Sequence, residues 1–338
     1  PKVLKLLNKS DFLAFKQLTF DQYYTNLPQD DLDSLPDVNW VDELYRNGME
    51  ENYNLSVSGS TPAINFFASG MYNKQKGVFI DNESALAGAR LNADFKIARW
   101  LKVGEQLNVW QRRTTPVKTS IVSTPFRTVP TGSPYTTDPD APWGSFPNYQ
   151  APNLIAQIKT TNFQFPENNF QGNVYAEIKL PPRYLTFKAT FGYTSQTYEN
   201  NIFNDVYNTA VTPVTINRLY RRIGKFEQLL NAYVLSFDHT YGLHTLNVLA
   251  GYEQYVNKSS YLQTTATGVS GNSFGYILTS GSEINIAGGY DPNGLVKSTF
   301  GRISYDYDKK YFVTASLRRD GNFTVFGPDH QYGLFPAA

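Results

Sequence analysis

Ten stretches of the chain alternate apolar and polar residues with a period of two. They predict strands at about 52–59, 64–73, 86–97, 101–112, 172–180, 184–197, 226–239, 244–256, 298–308 and 311–320. The pattern is cleanest where Leu185, Phe187, Ala189, Phe191 and Tyr193 share one face while Thr186, Lys188, Thr190 and Gly192 share the other. It recurs with Ala89, Leu91, Ala93, Phe95 and Ile97 against Arg90, Asn92, Asp94 and Lys96, and with Ile303, Tyr305 and Tyr307 against Arg302, Ser304 and Asp306. A charge at every second residue sits badly in a dry sandwich core. In a wide barrel the charges line a wet lumen while their apolar neighbours face lipid. Between Leu229 and His239 both faces carry apolar residues, so that strand is expected to pack against something on its inner side as well.

The connections between these strands alternate short and long, at about 4, 12, 3, 59, 3, 28, 4, 41 and 2 residues. Tight turns at one end and long loops at the other predict an all-β fold, part of a large antiparallel up-and-down transmembrane β-barrel with long extracellular loops. With short turns in the periplasm, the first strand starts outside and the last runs outward. Both ends of the chain are then expected outside the cell, as in an internal piece of a larger barrel. A freestanding ten-strand barrel serving as an adhesin, small porin or outer-membrane enzyme is the alternative. A soluble carbohydrate-binding or hydrolytic sandwich is a third reading, against which the alternating charges Arg90, Asp94, Lys96 and Lys188 speak.

Residues 1–49 differ from the barrel segment 50–338. Leu4, Leu7, Phe12 and Phe15 stand at near-helical spacing and Ser10 is a candidate N-cap, so short surface helices are expected in an extracellular loop. The acidic cluster Asp30, Asp31, Asp33 and Asp37 lacks the glycine turn and terminal glutamate of an EF-hand, which leaves a solvated acidic loop beside calcium binding as readings.

Composition narrows the chemistry. The mean hydropathy of −0.40 comes with no apolar run of helix-spanning length, which leaves a closed barrel as the way across a bilayer. Thirty Lys plus Arg against 29 Asp plus Glu give a net charge of +1, no basis for electrostatic nucleic-acid binding. With no cysteine and only His239, His244 and His330, neither a disulfide framework nor a metal centre is expected, and no cofactor is implied. The chain opens at Pro1 without a basic or apolar leader, so a signal peptide is expected to have been removed or to lie outside it. The 24 Tyr and 23 Phe include Tyr72, Trp100, Trp110, Tyr184, Tyr241, Tyr305, Tyr307 and Tyr311 near strand ends, where amphipathic rings would form interfacial belts. No G-x-S-x-G elbow, H-E-x-x-H helix or Walker sequence occurs, and nothing singles out two acids as a glycosidase pair, so no enzymatic activity is expected.

The longest connection, 113–171, concentrates Pro, Gly, Asp and aromatic residues. Trp143, Phe146 and Tyr149 could stack on sugar faces or peptide side chains, with Tyr135, Asp138 and Asp140 as polar partners. The same residues suit a small core of the loop's own or a contact with another protein. The loop 257–297, rich in Ser, Thr and Gly, reads as flexible or as a pairing surface.

Longer blocks carry a family resemblance. "NWVDELYRNGMEENYNLSVSGS", "NFFASGMYNKQKGVFIDNES", "LNADFKIARWLKVGEQLNV", "HTLNVLAGYE" and the closing "GRISYDYDKKYFVTASLRRDGNFTVFGPDHQYGLFPAA" resemble the SusC/RagA family of TonB-dependent outer-membrane transporters of Bacteroidetes. The closing block is the most specific, with Arg318, Arg319, Asp320 and Gly321 followed by Phe326, Gly327, Gly333 and Phe335. The resemblance implies a plugged barrel whose second to eleventh strands are present here, 1–49 being the first extracellular loop. No plug, TonB box or C-terminal half is included. It further implies nutrient uptake of oligosaccharides or peptides across the outer membrane and a SusD-like lipoprotein lid. Coupling to the TonB–ExbB–ExbD complex through the absent plug, contact with outer-membrane lipid, and assembly as a dimer of barrel–lid pairs follow from it as well. Because consecutive residues point to opposite faces, one of Arg318 and Arg319 is expected to face the lumen and the other the outer rim, with an ion pair to Asp320 or a neighbouring strand's acid as the structural role.

The polypeptide containing "SLRRDGNFTVFG", extracted from the outer membrane, is expected to have an intact mass several times that of this 338-residue chain. A mass matching the chain alone would instead favour the freestanding barrel.

Overall fold

The computed structural model describes residues 6–117, 124–145, 153–181, 184–209, 213–272, 275–327 and 329–338. Its centre is one antiparallel sheet of eleven strands, nearly all of them joined in chain order. They are β1 (Met49–Ser60), β2 (Ile64–Lys76), β3 (Glu83–Ala98), β4 (Leu101–Thr115), β5 (Thr161–Leu180), β6 (Leu185–Asn204), β7 (Arg218–Tyr241) and β8 (His244–Thr267), followed by β11 (Glu283–Tyr307), β12 (Tyr311–Asn322) and β13 (Tyr332–Ala337). A separate ribbon, β9 (Ser270–Asn272) with β10 (Gly275–Ile277), interrupts the order between β8 and β11.

All ten expected strands are present, and several are longer than the alternation suggested. The difference lies at the long-loop end. β5 begins at Thr161 rather than 172, β6 continues to Asn204, β8 to Thr267, and β11 begins at Glu283. The loop expected over 257–297 is therefore mostly strand, β8 and β11 staying paired from Glu283↔Thr267 down to Tyr307↔His244 with one irregularity between Asp291 and Gly294. In these extensions the alternation is brief, as at Phe163 and Phe165 or Ile284 and Ile286, and Pro166, Pro292 and the glycines Gly288, Gly289 and Gly294 break it before it reaches the length of a strand signal. An eleventh strand, β13, was not foreseen. It is six residues long, and Gly333 and Pro336 break its pattern.

Register sorts the side chains onto two faces. Reading across paired strands, Val57, Ala68, Leu91, Leu107 and Gly172 share a row with Tyr193, Leu229, Val256 and Leu295. The opposite face presents Ser56, Ser69, Arg90, Asn108 and Gln171, then Thr194, Gln228 and Asn257. Large apolar side chains on the first face are exposed, among them Leu55 at 80% and Val57 at 58%. Lipid covers such a face without cost, which is the arrangement of a transmembrane barrel with its polar side toward the lumen. Between Leu229 and His239 both faces do carry apolar residues, Leu230 and Val234 joining the lumen side.

The strands are joined at one end by the short links 61–63, 99–100, 181–184, 242–243 and 308–310. Gly242 (φ +60°) supplies the left-handed backbone of the β7–β8 turn, a conformation that costs glycine least. Rings gather there: Tyr184 stands 4.5 Å from His239, and Tyr307 is 5.0 Å from His244 and 6.4 Å from Tyr311 between ring centroids. His239 and His244 thus belong to aromatic clusters, with Nδ1 of His244 2.5 Å from the Tyr305 hydroxyl. Trp110 is an exception to the expected belt. It shares its row with Gly88 and Asn169 on the lumen face, where the Arg112 guanidinium lies 5.2 Å from its ring.

Phe191 is 48% exposed on the lipid side near mid-bilayer, whereas its neighbour Thr190 faces the lumen. Phe191→Arg should cost about 2–4 kcal/mol and Thr190→Arg much less. The fraction of full-length protein that migrates as folded barrel on unheated gels reads the difference.

Candidate functional site

The wall of the barrel is uneven in height. A tilted strand crosses a membrane in about 9–11 residues, close to the 12 and 13 of β1 and β2. By contrast β7, β8 and β11 have 24, 24 and 25 residues. More than half of each tall strand therefore rises beyond the bilayer on the long-loop side. Its top is capped by a small core of Phe203, Leu219, Ala266 and Val269, with Leu278 packed against it.

Over the lower rim stands a platform built from the segment before β1 and the β2–β3 and β4–β5 connections; the first of these carries four short helices, α1 (Lys9–Leu18), α2 (Gln22–Asn26), α3 (Gln29–Ser34) and α4 (Trp40–Leu44). The α1 cap is Asn8, whose side chain accepts from Asp11 N, rather than Ser10. Ser10 lies inside the first turn. Phe12, Tyr24 and Leu32 form one core. Trp40 and Leu44 join Phe79 from the β2–β3 loop and Leu154 and Ile155 from helix α5 (Leu154–Lys159) in a second. Polar groups stitch the pieces together: Trp40 Nε1 donates to Val129 O at 3.0 Å, Val38 N to Pro130 O at 2.9 Å, and Tyr24 Oη meets Thr131 Oγ1 at 3.2 Å. Arg46 donates to Gly77 O and Asn82 O, clamping the β2–β3 loop.

Two groups of the platform titrate away from their ordinary values. Burial pushes the Tyr24 hydroxyl up, and the hydrogen bond from Lys16 (2.9 Å) holds the Asp21 carboxyl below the usual carboxylate value. A depressed carboxyl adds stability above its unfolded pKa and loses it as pH falls through the folded one, so this contribution to the α1–α2 junction fades as pH drops below the usual carboxylate value. Of the acidic cluster, Asp31 and Asp33 are exposed on α3 and Asp37 Oδ1 accepts from Lys9 N at 2.7 Å; no group of acids able to hold a metal occurs among the described residues.

The residues singled out in the longest connection are partly described. Phe146 and Tyr149 lie outside the described residues. Tyr135 and Trp143 pair through an isolated bridge with ring centroids 5.9 Å apart. Trp143 is half-buried against the Trp40 core, while Tyr135 is 51% exposed. Asp138 and Asp140 stand exposed at the tip between them, Asp138 Oδ1 accepting from Asp140 N. The four therefore make one solvent-facing knuckle, held from beneath. Its anchor is Asn153, 1% exposed, which donates to Pro134 O (2.8 Å) and Gly144 O (2.9 Å) and caps α5 by accepting from Ala156 N. Sequence reasoning passed over Asn153, although an asparagine directly before Leu-Ile-Ala is a helix-start signal.

Below the platform the lumen face carries charge in compact knots. Asp94 accepts from the Tyr175 hydroxyl and pairs with Lys102 at 3.0 Å, and Lys188 lies 4.3 Å from the Tyr175 ring centre. Gly104 makes room for that ring, which a Cβ there would strike. Arg112 pairs with Glu167 at 3.5 Å. Arg318 bonds Asp320 at 2.7 Å and lies 3.7 Å from Glu253, above the Phe300 ring.

The closing block is thereby explained as β12, a turn and β13. Arg318 faces Phe335 and Asp320 faces Gly333 across this pair on the lumen side, while Arg319 is on the outer face with its guanidinium 3.8 Å from the Tyr332 ring centre. Gly321 admits the Tyr332 ring, and the exposed Phe326 and Gly327 lie in the turn.

Similarity to known proteins agrees with this architecture. The chain is 25% identical over 99% of its length to TonB-dependent receptor P3 of Formosa agariphila, and 26% identical over 89% to TonB-dependent receptor P39 of the same organism. It spans about a third of these curated relatives, 33% and 29%. Among solved structures, the RagAB peptide transporter superposes with a TM-score of 0.75 at 18% identity, covering 98% of this chain and 41% of that one. The RagAB peptide importer in its open-open state gives 0.75 at 17%. No family model matches the chain.

Asn153→Ala should strip two buried carbonyls of their partners and a helix of its cap, a loss of about 2–4 kcal/mol to the platform. Faster protease cleavage within 124–145 on intact cells is the expected result. Asp138→Asn, at the exposed tip, should leave cleavage unchanged.

Proposed function

We propose, for a chain that is a stretch of the barrel of a SusC/RagA-type TonB-dependent protein of the outer membrane, that it forms the substrate-receiving side of a transporter importing oligosaccharides or peptides. The observation that carries this reading is the platform: a folded extracellular layer, with two cores of its own, set over the low rim of a polar-lined wall. A simple pore has no need of such a layer. A transporter that captures cargo outside before passing it inward does.

Within the layer, the knuckle of Tyr135, Asp138, Asp140 and Trp143 offers ring faces and carboxylates on a rigid base. With Phe146 and Tyr149 nearby in sequence, it is the surface assigned to cargo or to a lid protein. The capture step is non-covalent: rings stack, carboxylates accept hydrogen bonds, and the barrel wall supplies the path. A SusD-like lipoprotein closing over the platform fits the uneven rim, whose tall strands β7, β8 and β11 lie several strands along the sheet from the low β1 and β2. Coupling to TonB would act through a plug outside this chain, and no covalent chemistry is assigned to the barrel.

Affinity purification of the full-length protein from outer membranes, followed by mass spectrometry of proteins and small molecules that elute with it, tests the proposal. A surface lipoprotein in equal amount, with bound oligosaccharide or peptide, is the expected outcome. A barrel that elutes with neither partner nor cargo overturns it.

A further inference from the structure

Arg319 has no role in the lumen, since it stands on the outer face of β12. The outer row of that strand runs Tyr311, Val313, Ala315, Leu317 and then Arg319. On β11 the same face runs Tyr307, Tyr305, Ile303, Gly301, Thr299 and then Lys297. Eight residues separate Tyr311 from Arg319 and ten separate Tyr307 from Lys297. At about 3.4 Å per residue and a tilt of about 40°, the cations sit roughly 20–26 Å above the inner aromatic ring. The apolar band is about 25 Å tall, so both cations stand at its outer edge.

Lys297 is paired with Gly321, and Arg319 with Thr299, so the two cations are diagonal neighbours on adjacent strands. Neither has a carboxylate within ion-pair distance among the described residues, in contrast to Arg318 on the lumen side. Each is instead steadied by a ring: Arg319 over Tyr332, and Lys297 5.3 Å from the Phe323 ring centre. Exposed aliphatic side chains adjoin them on this face: Leu334 beside Arg319 across the β12–β13 pair, Leu317 below it, and Ile303 further down β11, at 61%, 48% and 47%. Two unneutralised cations above an aliphatic patch, at the depth where headgroups meet hydrocarbon, complement an anionic headgroup with acyl chains beneath it.

We propose that Lys297 and Arg319, with Tyr332 and the Leu317–Leu334 patch, bind the phosphorylated headgroup of a lipid in the outer leaflet. The guanidinium holds one phosphate by paired hydrogen bonds, the ammonium adds a point charge, and the acyl chains cover the aliphatic patch. The site fastens this sector of the barrel at a fixed depth, independently of what the lumen carries.

Full-length protein in phosphatidylcholine nanodiscs doped with bisphosphorylated lipid A, released and weighed by native mass spectrometry, reads the lipid retained. The parent should retain lipid A and lose it when the phosphates have been removed enzymatically from the lipid. K297Q/R319Q should lower retention about 30-fold, as expected for two cations at a membrane surface, while R302Q on the lumen face should not. Equal retention of phosphorylated and dephosphorylated lipid by the parent overturns the proposal, and this comparison needs no variant to fold. Full retention by folded K297Q/R319Q, or displacement of the lipid by millimolar inorganic phosphate, also overturns it.

Discussion

Hydrocarbon offers a peptide group no hydrogen-bond partner, and this requirement governs the rest of the molecule. Every backbone donor and acceptor crossing the bilayer must find its partner in a neighbouring strand. The sheet meets the demand with unbroken antiparallel ladders, such as the 24-residue pairing of β7 with β8. Once the backbone is so committed, side chains have two faces only. Lipid selects apolar residues for one, and water in the lumen permits charge on the other.

Freed from the bilayer, the tall strands and the platform obey different rules. Above the membrane both faces meet water, so Phe203 and Leu219 need protein to cover them and obtain it from Val269 and Leu278. The platform likewise depends on ordinary burial, with Trp40 at 1% exposure and Leu44 at 0%. This division would separate the two tasks of the proposed transporter. The wall keeps its shape through backbone pairing, while the platform can vary its loops over small cores without disturbing the ladder.

The paired arginines show how one motif serves both faces. Arg318 completes a lumen network with Asp320 and Glu253, its guanidinium held between two carboxylates on the water-facing side. Arg319, one residue on, reaches the headgroup zone, where the solvent itself supplies anions. Tyr332 and Phe335 on β13 repeat the division, the first under Arg319 and the second facing Arg318.

Period-two alternation was legible wherever lipid and lumen both pressed on a strand, as in Leu185–Tyr193, and the alternation of short and long links carried the topology with it. The resemblance of the closing block likewise needed no coordinates. The alternation faded where only water pressed, so the outer halves of β5, β8 and β11 looked like loop until pairing made them strand. The two-face logic separates Arg318 from Arg319, but that Arg318 meets Glu253 as well as Asp320 depends on β8 lying two strands away. The proposed capture knuckle was half readable: its rings and carboxylates stand out in sequence, whereas their common base, Asn153, acts through contacts to Pro134 and Gly144 that only folding creates. What the sequence determined by itself is the side chain's preference for oil or water, a property of each residue. What the tertiary structure alone decided is which distant residues share a row, a knot or a core, because those contacts join positions that no local period connects.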